Sequence, residues 1–164
     1  MKILIIGLGN PILGDDGVGW MVASEVDKYL QSPTSPFRKK RVEIEVETLS
    51  LGGLSLMERM IGYDRVILID TLITGQHPTG YVSRFLLPDL PDFTSGHTTA
   101  AHDTSLKTAL RVGKQMGANL PAPENIWIVG VESVPVYDFS ENLSPPITAA
   151  IPTAVEMVVA ALKE

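Results

Sequence analysis

A chain of 164 residues has the size of a single domain with a proper hydrophobic core, and we expect one domain over residues 1–164. Its formal net charge of −6 disfavours nucleic acid and anionic membrane surfaces as partners, because both bind basic faces. The absence of cysteine excludes disulfides, thiolate metal ligands and a cysteine nucleophile. The start "MKILIIGLGN" is too short an apolar run for a signal peptide or a membrane span, so we expect a cytoplasmic protein.

Apolar runs typical of strands alternate along the chain with segments of helical periodicity. The segments that predict strands are "KILII" (2–6), "RVEIEVETL" (41–49), "DRVILIDTL" (64–72), "GYVSRFLL" (80–87) and "NIWIVGVES" (125–133). Strict alternation in 41–49 predicts an acidic, solvated face near a sheet edge. The segments that predict helices are 18–30, 54–60, 104–117 with Gly117 as its C-cap, and a C-terminal helix that begins near Pro152.

This order of elements predicts a three-layer α/β/α sandwich around a five-stranded, mostly parallel sheet with one antiparallel strand. The connection "ITGQHPTG" (73–80) is too short for a helical crossover, so we expect 80–87 to pair antiparallel with 64–72. If the first strand lies between the second and third, the chain reverses direction there. Sites in such folds gather at the carboxyl ends of the strands beside that switch point. The long irregular stretch 88–103 is a further candidate functional segment.

The opening stretch "IIGLGNPILGDDGVG" (5–19) has three interpretations. A dinucleotide-binding turn needs G-x-G-x-x-G, but Ile12 stands at the third glycine position and no ribose-binding acid follows the second strand. The phrase "GLGNP" (7–11) resembles the start of bacterial peptidyl-tRNA hydrolases. That family has a catalytic histidine shortly afterwards, which "ILGDDGVGW" lacks, and the acidic charge also disagrees with a tRNA substrate.

The third interpretation rests on the aspartates. "GLGNPILGDDGVG" resembles the G-x-G-N-x-x-x-x-D-[DE]-x-x-G signature of nickel–iron hydrogenase maturation endopeptidases. The resemblance continues, in the same order, through "LSLGGLSLMERM", "VILIDTL", "HDTSLKTAL", "IVGVE" and "LSPPITAAIPTAVEMV". It therefore extends over the whole chain. It implies a peptidase that removes a C-terminal peptide from the hydrogenase large subunit after nickel has been inserted.

The resemblance also implies a metal site, which by position consists of Asp16, Asp70 and His102. The predicted elements agree with it. Asp16 follows the first strand, Asp70 ends the third, and His102 stands just before the third helix, so all three are expected at one edge of the sheet. Two carboxylates and an imidazole suit a borderline divalent ion such as nickel or zinc.

Other residues near these positions have plainer interpretations. His97 competes with His102 as the third ligand, but only His102 is followed four residues later by the leucine of the family pattern. Asp15 is interpreted as a helix N-cap, and His77 as a solvated turn residue. Asp103 either orients the ring of His102 or caps the third helix.

The resemblance implies that the partner is a nickel-loaded hydrogenase large-subunit precursor, which supplies the nickel itself. Zinc or another divalent ion could substitute. The ion could polarise the scissile carbonyl and activate water, or Asp16 and Asp70 could activate water as in an aspartic peptidase. The sequence does not choose between these two chemistries. A nickel-sensing binding module with the same three ligands is the non-enzymatic alternative.

Overall fold

The computed structural model describes the backbone of residues 1–39, 42–90 and 98–164, and their side chains except those of Lys39 and of residues 98–105. Strands and helices alternate over these ranges much as predicted. The strands are β1 (Lys2–Leu8), β2 (Glu43–Leu49), β3 (Arg65–Leu72), β4 (Val82–Leu86) and β5 (Ile126–Glu132). The helices are α1 (Val18–Gln31), α2 (Gly53–Arg59), α3 (Thr98–Gln115) and α4 (Pro145–Ala161). Within the described residues, no helix is long and apolar enough to cross a membrane.

The five strands form one sheet in the order β2-β1-β3-β5-β4, which is parallel except for β4. The predicted reversal of the chain at β1 is confirmed, because β1 lies between β2 and β3. The antiparallel direction of β4 is also confirmed, but its predicted pairing with β3 is wrong. Both edges of β3 are occupied by β1 and β5, so β4 pairs with β5 instead.

The sheet is covered on both faces, which explains the unbroken apolar run of β3. Ile67 and Ile69 pack on the face covered by α1 and α4, whereas Val66 and Leu68 pack on the face covered by α2 and α3. The apolar stripe predicted for α1 faces the sheet, with Val22 fully buried at its centre. The three-layer α/β/α architecture is therefore confirmed.

The edge strand β2 has the solvated acidic face that its alternation predicts. Its glutamates pair with polar groups on the same side: Glu47 forms a salt bridge with Arg59, and Glu45 accepts a hydrogen bond of 2.7 Å from the hydroxyl of Tyr63. Burial, together with the hydrogen bond to the Glu45 carboxylate, raises the pKa of Tyr63 to about 12. Glu45 and Glu47 therefore connect the edge strand β2 to the segment formed by Arg59 and Tyr63.

Two helices begin earlier than their sequence patterns indicate. Helix α3 begins at Thr98 rather than at residue 104, so part of the expected irregular stretch is helical, and Gly117 caps its end as predicted, with φ +85°. Helix α4 begins at Pro145 rather than near Pro152. Prolines fit the first turn of a helix because the amide groups there have no intrahelical partner, and Pro145 meets this condition while Pro152 lies inside the helix.

The interior proline of α4 gives a stability prediction. Pro152 is exposed and cannot donate a hydrogen bond to the carbonyl group of Thr148, so Pro152→Ala should raise the free energy of unfolding by about 1–3 kcal/mol. Urea unfolding would measure this change, with Thr153→Ala at the neighbouring exposed position as the control, expected to stay within about 0.5 kcal/mol. A lower free energy of unfolding for Pro152→Ala would show that the helix depends on the proline.

Candidate active site

The predicted site lies at the carboxyl ends of the central strands. Asp16 belongs to a short 3₁₀ turn, Gly14–Gly17, between β1 and α1, and Asp70 lies near the end of β3. The hydroxyl of Thr71, the residue after Asp70, donates a hydrogen bond of 3.3 Å to Oδ1 of Asp16. The structure therefore brings Asp16 to the same end of β3 that carries Asp70, as the sequence predicts.

The Asp16 side chain is held at both oxygens. Oδ2 accepts a hydrogen bond of 2.8 Å from the backbone N–H of Asn10, while Oδ1 accepts the one from Thr71. The chain must turn sharply to bring Asn10 there, and Gly9 allows the turn with a φ of +129°. Any side chain at position 9 would overlap the carbonyl oxygen of Asp16. The G-x-G-N phrase thus shapes the loop around this carboxylate.

Asp70 leaves β3 on the face covered by α2 and α3, because side chains alternate along a strand and Val66 and Leu68 share that face. Its neighbour across the ladder in β5 is Gly130, where the side chain of Leu72 fills the space that a Cβ would need. Oδ1 of Asp70 accepts a hydrogen bond of 2.8 Å from the N–H of Thr71. Asp70 is half-buried, and the residue after it, Thr71, is the one that contacts Asp16.

The third predicted ligand is placed only by its backbone. His102 lies inside α3 rather than just before it, which corrects the prediction, and α3 packs on the face to which Asp70 points. The side chains of His102 and Asp103 are outside the described ones, and His97 lies outside the described residues altogether. Among the side chains that are described, no three carboxylates or imidazoles form a metal-holding group. The three-ligand site therefore stays a prediction.

His77 lies in the turn after β3, and its ring stacks on that of Tyr81 with centroids 4.1 Å apart. Both rings are exposed. The prediction of a solvated turn residue is therefore confirmed.

Asp15 has a different role from the predicted one. The N-cap of α1 is Gly17, without a side-chain cap, and Asp15 is instead buried against the start of α4. Its carboxylate accepts hydrogen bonds from the N–H of Ser144 at 2.6 Å and from the hydroxyl of Ser144 at 2.8 Å. Ser144 is the N-cap of α4, where a negative charge is favourable. Asp15 therefore ties the Asp16 turn to α4.

A buried carboxylate that the sequence analysis did not single out lies at the end of β5. Glu132 is only 3 % exposed, and its Oε1 accepts hydrogen bonds from the N–H groups of Thr74 and Gly75 at 2.8 and 2.9 Å. The hydroxyl of Thr74 also donates to it at 2.9 Å. Glu132 thus fixes the loop that leaves β3. Its sequence signal, an acid that ends an apolar strand, is the same as that of Asp70.

Comparison with known proteins identifies the family. A family model described as "Hydrogenase maturation protease" matches residues 37–161, well over half of the chain. The chain belongs to the hydrogenase maturation protease family. It is therefore a peptidase of hydrogenase maturation, and neither a dinucleotide-binding protein nor a peptidyl-tRNA hydrolase is favoured. The matched range includes Asp70 and His102, while Asp16 precedes it.

Curated relatives agree with this family along the whole chain. The chain is 26% identical to the hydrogenase expression/formation protein HupD of Rhizobium leguminosarum bv. viciae, over 99% of this chain and 74% of that protein. It is 24% identical to the hydrogenase 2 maturation protease of Escherichia coli, over 100% of this chain and 92% of that protein.

Solved structures show the same fold. The chain is similar to the hydrogenase maturating endopeptidase HybD of E. coli, with a TM-score of 0.75 and 24% identity over 99% of this chain and 93% of that one. It also resembles the [NiFe] hydrogenase maturation protease HybD of Thermococcus kodakarensis, with a TM-score of 0.64 and 21% identity over 98% of both chains. The arrangement of strands and helices is thus that of hydrogenase maturation proteases.

The tie between Asp15 and Ser144 gives a testable prediction. Hydrogen bonds to a buried carboxylate contribute about 1.5–3 kcal/mol, so Asp15→Ala should lower the free energy of unfolding by about that amount. Ser144→Ala removes only the hydroxyl donor and should cost less. In a double-mutant cycle measured by urea unfolding, we expect a coupling of about 1 kcal/mol between the two residues. Strictly additive effects would mean that the two side chains do not act together.

Proposed function

We propose that this hydrogenase maturation protease is the endopeptidase that removes the C-terminal extension from a nickel-loaded [NiFe]-hydrogenase large-subunit precursor. Family membership supports the activity, and the hydrogen bond between Thr71 and Asp16 supports the location of the site. That contact joins the loop acid to the strand end that carries Asp70. In the reaction, water adds to one peptide bond, which leaves a new carboxyl terminus on the large subunit and a free amino group on the released peptide.

In this proposal Asp16, Asp70 and His102 contact the nickel that the precursor carries. Carboxylate and imidazole donors suit nickel, and zinc or another divalent ion could substitute. Each oxygen of an ionised carboxylate can accept more than one hydrogen bond or ligand contact. The bonds from Asn10 and Thr71 to Asp16 therefore orient this side chain and leave it capacity for a metal contact. Nickel serves as a checkpoint, since only a loaded precursor offers these donors a partner.

Two ways of activating the water fit this arrangement. The nickel carried by the precursor could polarise the scissile carbonyl, or Asp16 and Asp70 could act as an aspartic-type pair. The fixed orientation of Asp16 supports a contact role for this residue. The absence of cysteine fits a reducing compartment and supports a site of action in the cytoplasm, which we include in the proposal.

The proposal is tested by incubating the protein with the precursor in two forms, nickel-loaded and nickel-free, and measuring intact mass. We expect the loaded precursor to lose one C-terminal peptide and the nickel-free precursor to keep its mass. Equal cleavage of both forms would contradict the proposal that nickel on the precursor is required for cleavage. A loaded precursor that binds without any change of mass would identify a nickel-sensing binding module instead of a peptidase.

Substitution of the three proposed residues should abolish processing in the same assay. We expect Asp16→Asn, Asp70→Asn and His102→Ala each to lower the cleavage rate at least about 100-fold. The Asn variants keep the side-chain volume and one acceptor oxygen, so their melting temperatures should stay close to that of the wild type. His77→Ala, in the exposed turn after β3, is the control and should cleave normally. Loss of activity in His97→Ala rather than His102→Ala would move the third contact by five residues.

A further inference from the structure

The segment between β5 and α4 exposes two aromatic side chains almost fully. Tyr137 is 87% and Phe139 is 82% exposed, whereas tyrosine and phenylalanine ordinarily bury most of their surface. Clustered aromatic side chains in solvent are typical of surfaces that bind another protein. This part of the chain is thus a candidate contact surface.

The exposed aromatics lie beside the Asp16 loop. The N–H of Ser140 donates to the carbonyl of Ile12 at 2.9 Å, and the N–H of Gly14 donates to the carbonyl of Ser140 at 2.7 Å. Leu13 and Ser140 therefore face each other in a short parallel bridge. In a parallel bridge the preceding residues are also neighbours, so Phe139 lies next to Ile12, which is 49% exposed. The exposed aromatic segment is thus hydrogen-bonded through its backbone to the loop that leads to Asp16.

The same segment is acidic. Asp138 and Glu141 are exposed: Asp138 stands between the two aromatic residues and Glu141 follows Phe139 by two residues in the sequence "YDFSE" (137–141). Among the described residues, neither of the two takes part in a salt bridge. We call the surface formed by Ile12, Tyr137, Asp138, Phe139 and Glu141 the rim patch. It offers apolar contact area together with two uncompensated negative charges.

We infer that the rim patch docks the precursor protein, on a surface where aliphatic or aromatic side chains stand next to lysine or arginine. This inference rests on the proposed function, because it assigns the patch to the substrate of that site. Charge complementarity favours such a precursor surface over a second copy of the chain. A second copy of the chain would bring the same acidic residues against Asp138 and Glu141, and the net charge of −6 would oppose the contact further. A partner surface with both apolar and basic side chains would contact the apolar residues of the rim patch and pair with its two acidic residues.

The patch acts on binding rather than on the chemical step. Its residues lie beside Asp16 but include none of the proposed metal contacts. Contacts of this kind are made equally with the bound substrate and with the transition state, so losing them raises KM and leaves kcat unchanged. Docking at the patch would therefore select the folded precursor over a loose peptide.

The first test removes the aromatic side chains. The double variant Tyr137→Ser, Phe139→Ser should raise KM for the nickel-loaded precursor about tenfold with kcat unchanged, since truncated aromatic contacts commonly dominate interfaces. Met116→Ser is the matched control, because Met116 is 83% exposed and follows the far end of α3. We expect its KM to equal that of the wild type. A KM within twofold of the wild type for the double variant, or a fall in kcat alone, would overturn the inference.

The second test removes the charges while keeping the side-chain size. The double variant Asp138→Asn, Glu141→Gln should raise KM several-fold at low salt and make KM less sensitive to salt than in the wild type. A lower KM for this variant would overturn the basic character of the partner surface. A dimer of the wild type at assay concentrations that Tyr137→Ser, Phe139→Ser dissolves would assign the patch to a second copy and overturn the inference.

Direct binding separates this inference from the proposed function. The dissociation constant for the loaded precursor can be measured by biolayer interferometry with Asp16→Asn, which keeps the precursor intact, with and without the aromatic substitutions. Weaker binding without any cleavage by the wild type would sink the proposed function but support docking at the patch. Cleavage by the wild type with unchanged binding by the aromatic variant would support the function and overturn the patch.

Discussion

The start of α1 lies almost in contact with the ends of β1 and β3, and the position of Asp16 depends on this close approach. A side chain at Gly19 would overlap the carbonyl oxygen of Leu8 and press on that of Ile69. With glycine at this position the helix can begin directly above the two strand ends. The short turn before it places Asp16 against Thr71. Close backbone packing at Gly19 therefore sets where α1 begins, and with it the position of the Asp16 turn.

Much of the fold follows from local patterns, because burial on both faces leaves a clear signal. The apolar run of β3 and the alternating β2 predict a central and an edge strand, and both predictions are confirmed. The strand that pairs with β4 could not be predicted from such a local pattern. The length of a connection limits the direction of the next strand, but which sheet edge is open depends on β5, which comes later in the chain. The predicted start of α4 was wrong because two successive prolines are typical of a loop, and the sequence alone does not show that they occupy the first turn of a helix.

The sequence alone could not predict which acids belong to the candidate site. An acid that ends an apolar strand indicates a carboxylate with a task, and this signal fits both Asp70 and Glu132. The structure shows that Glu132 is enclosed by the amides of Thr74 and Gly75, whereas Asp70 ends the central strand whose next residue, Thr71, contacts Asp16. Only contacts between distant segments separate these two outcomes. Asp15 makes the same point, since its partner Ser144 is 129 residues away.

That long separation has a consequence for the newly made protein. Asp15, next to Asp16, is translated 129 residues before Ser144, and its tie to α4 cannot form until Ser144 has left the ribosome. At synthesis rates of about 5–20 residues per second, this delay is on the order of ten seconds. During that interval the β1 and α1 segments have no α4 against which to close, although β1 and β2 are already available to pair. A chain that stops before Ser144 would therefore lack the tie that joins the Asp16 turn to α4, so the order of the candidate site depends on a segment made much later than the turn itself.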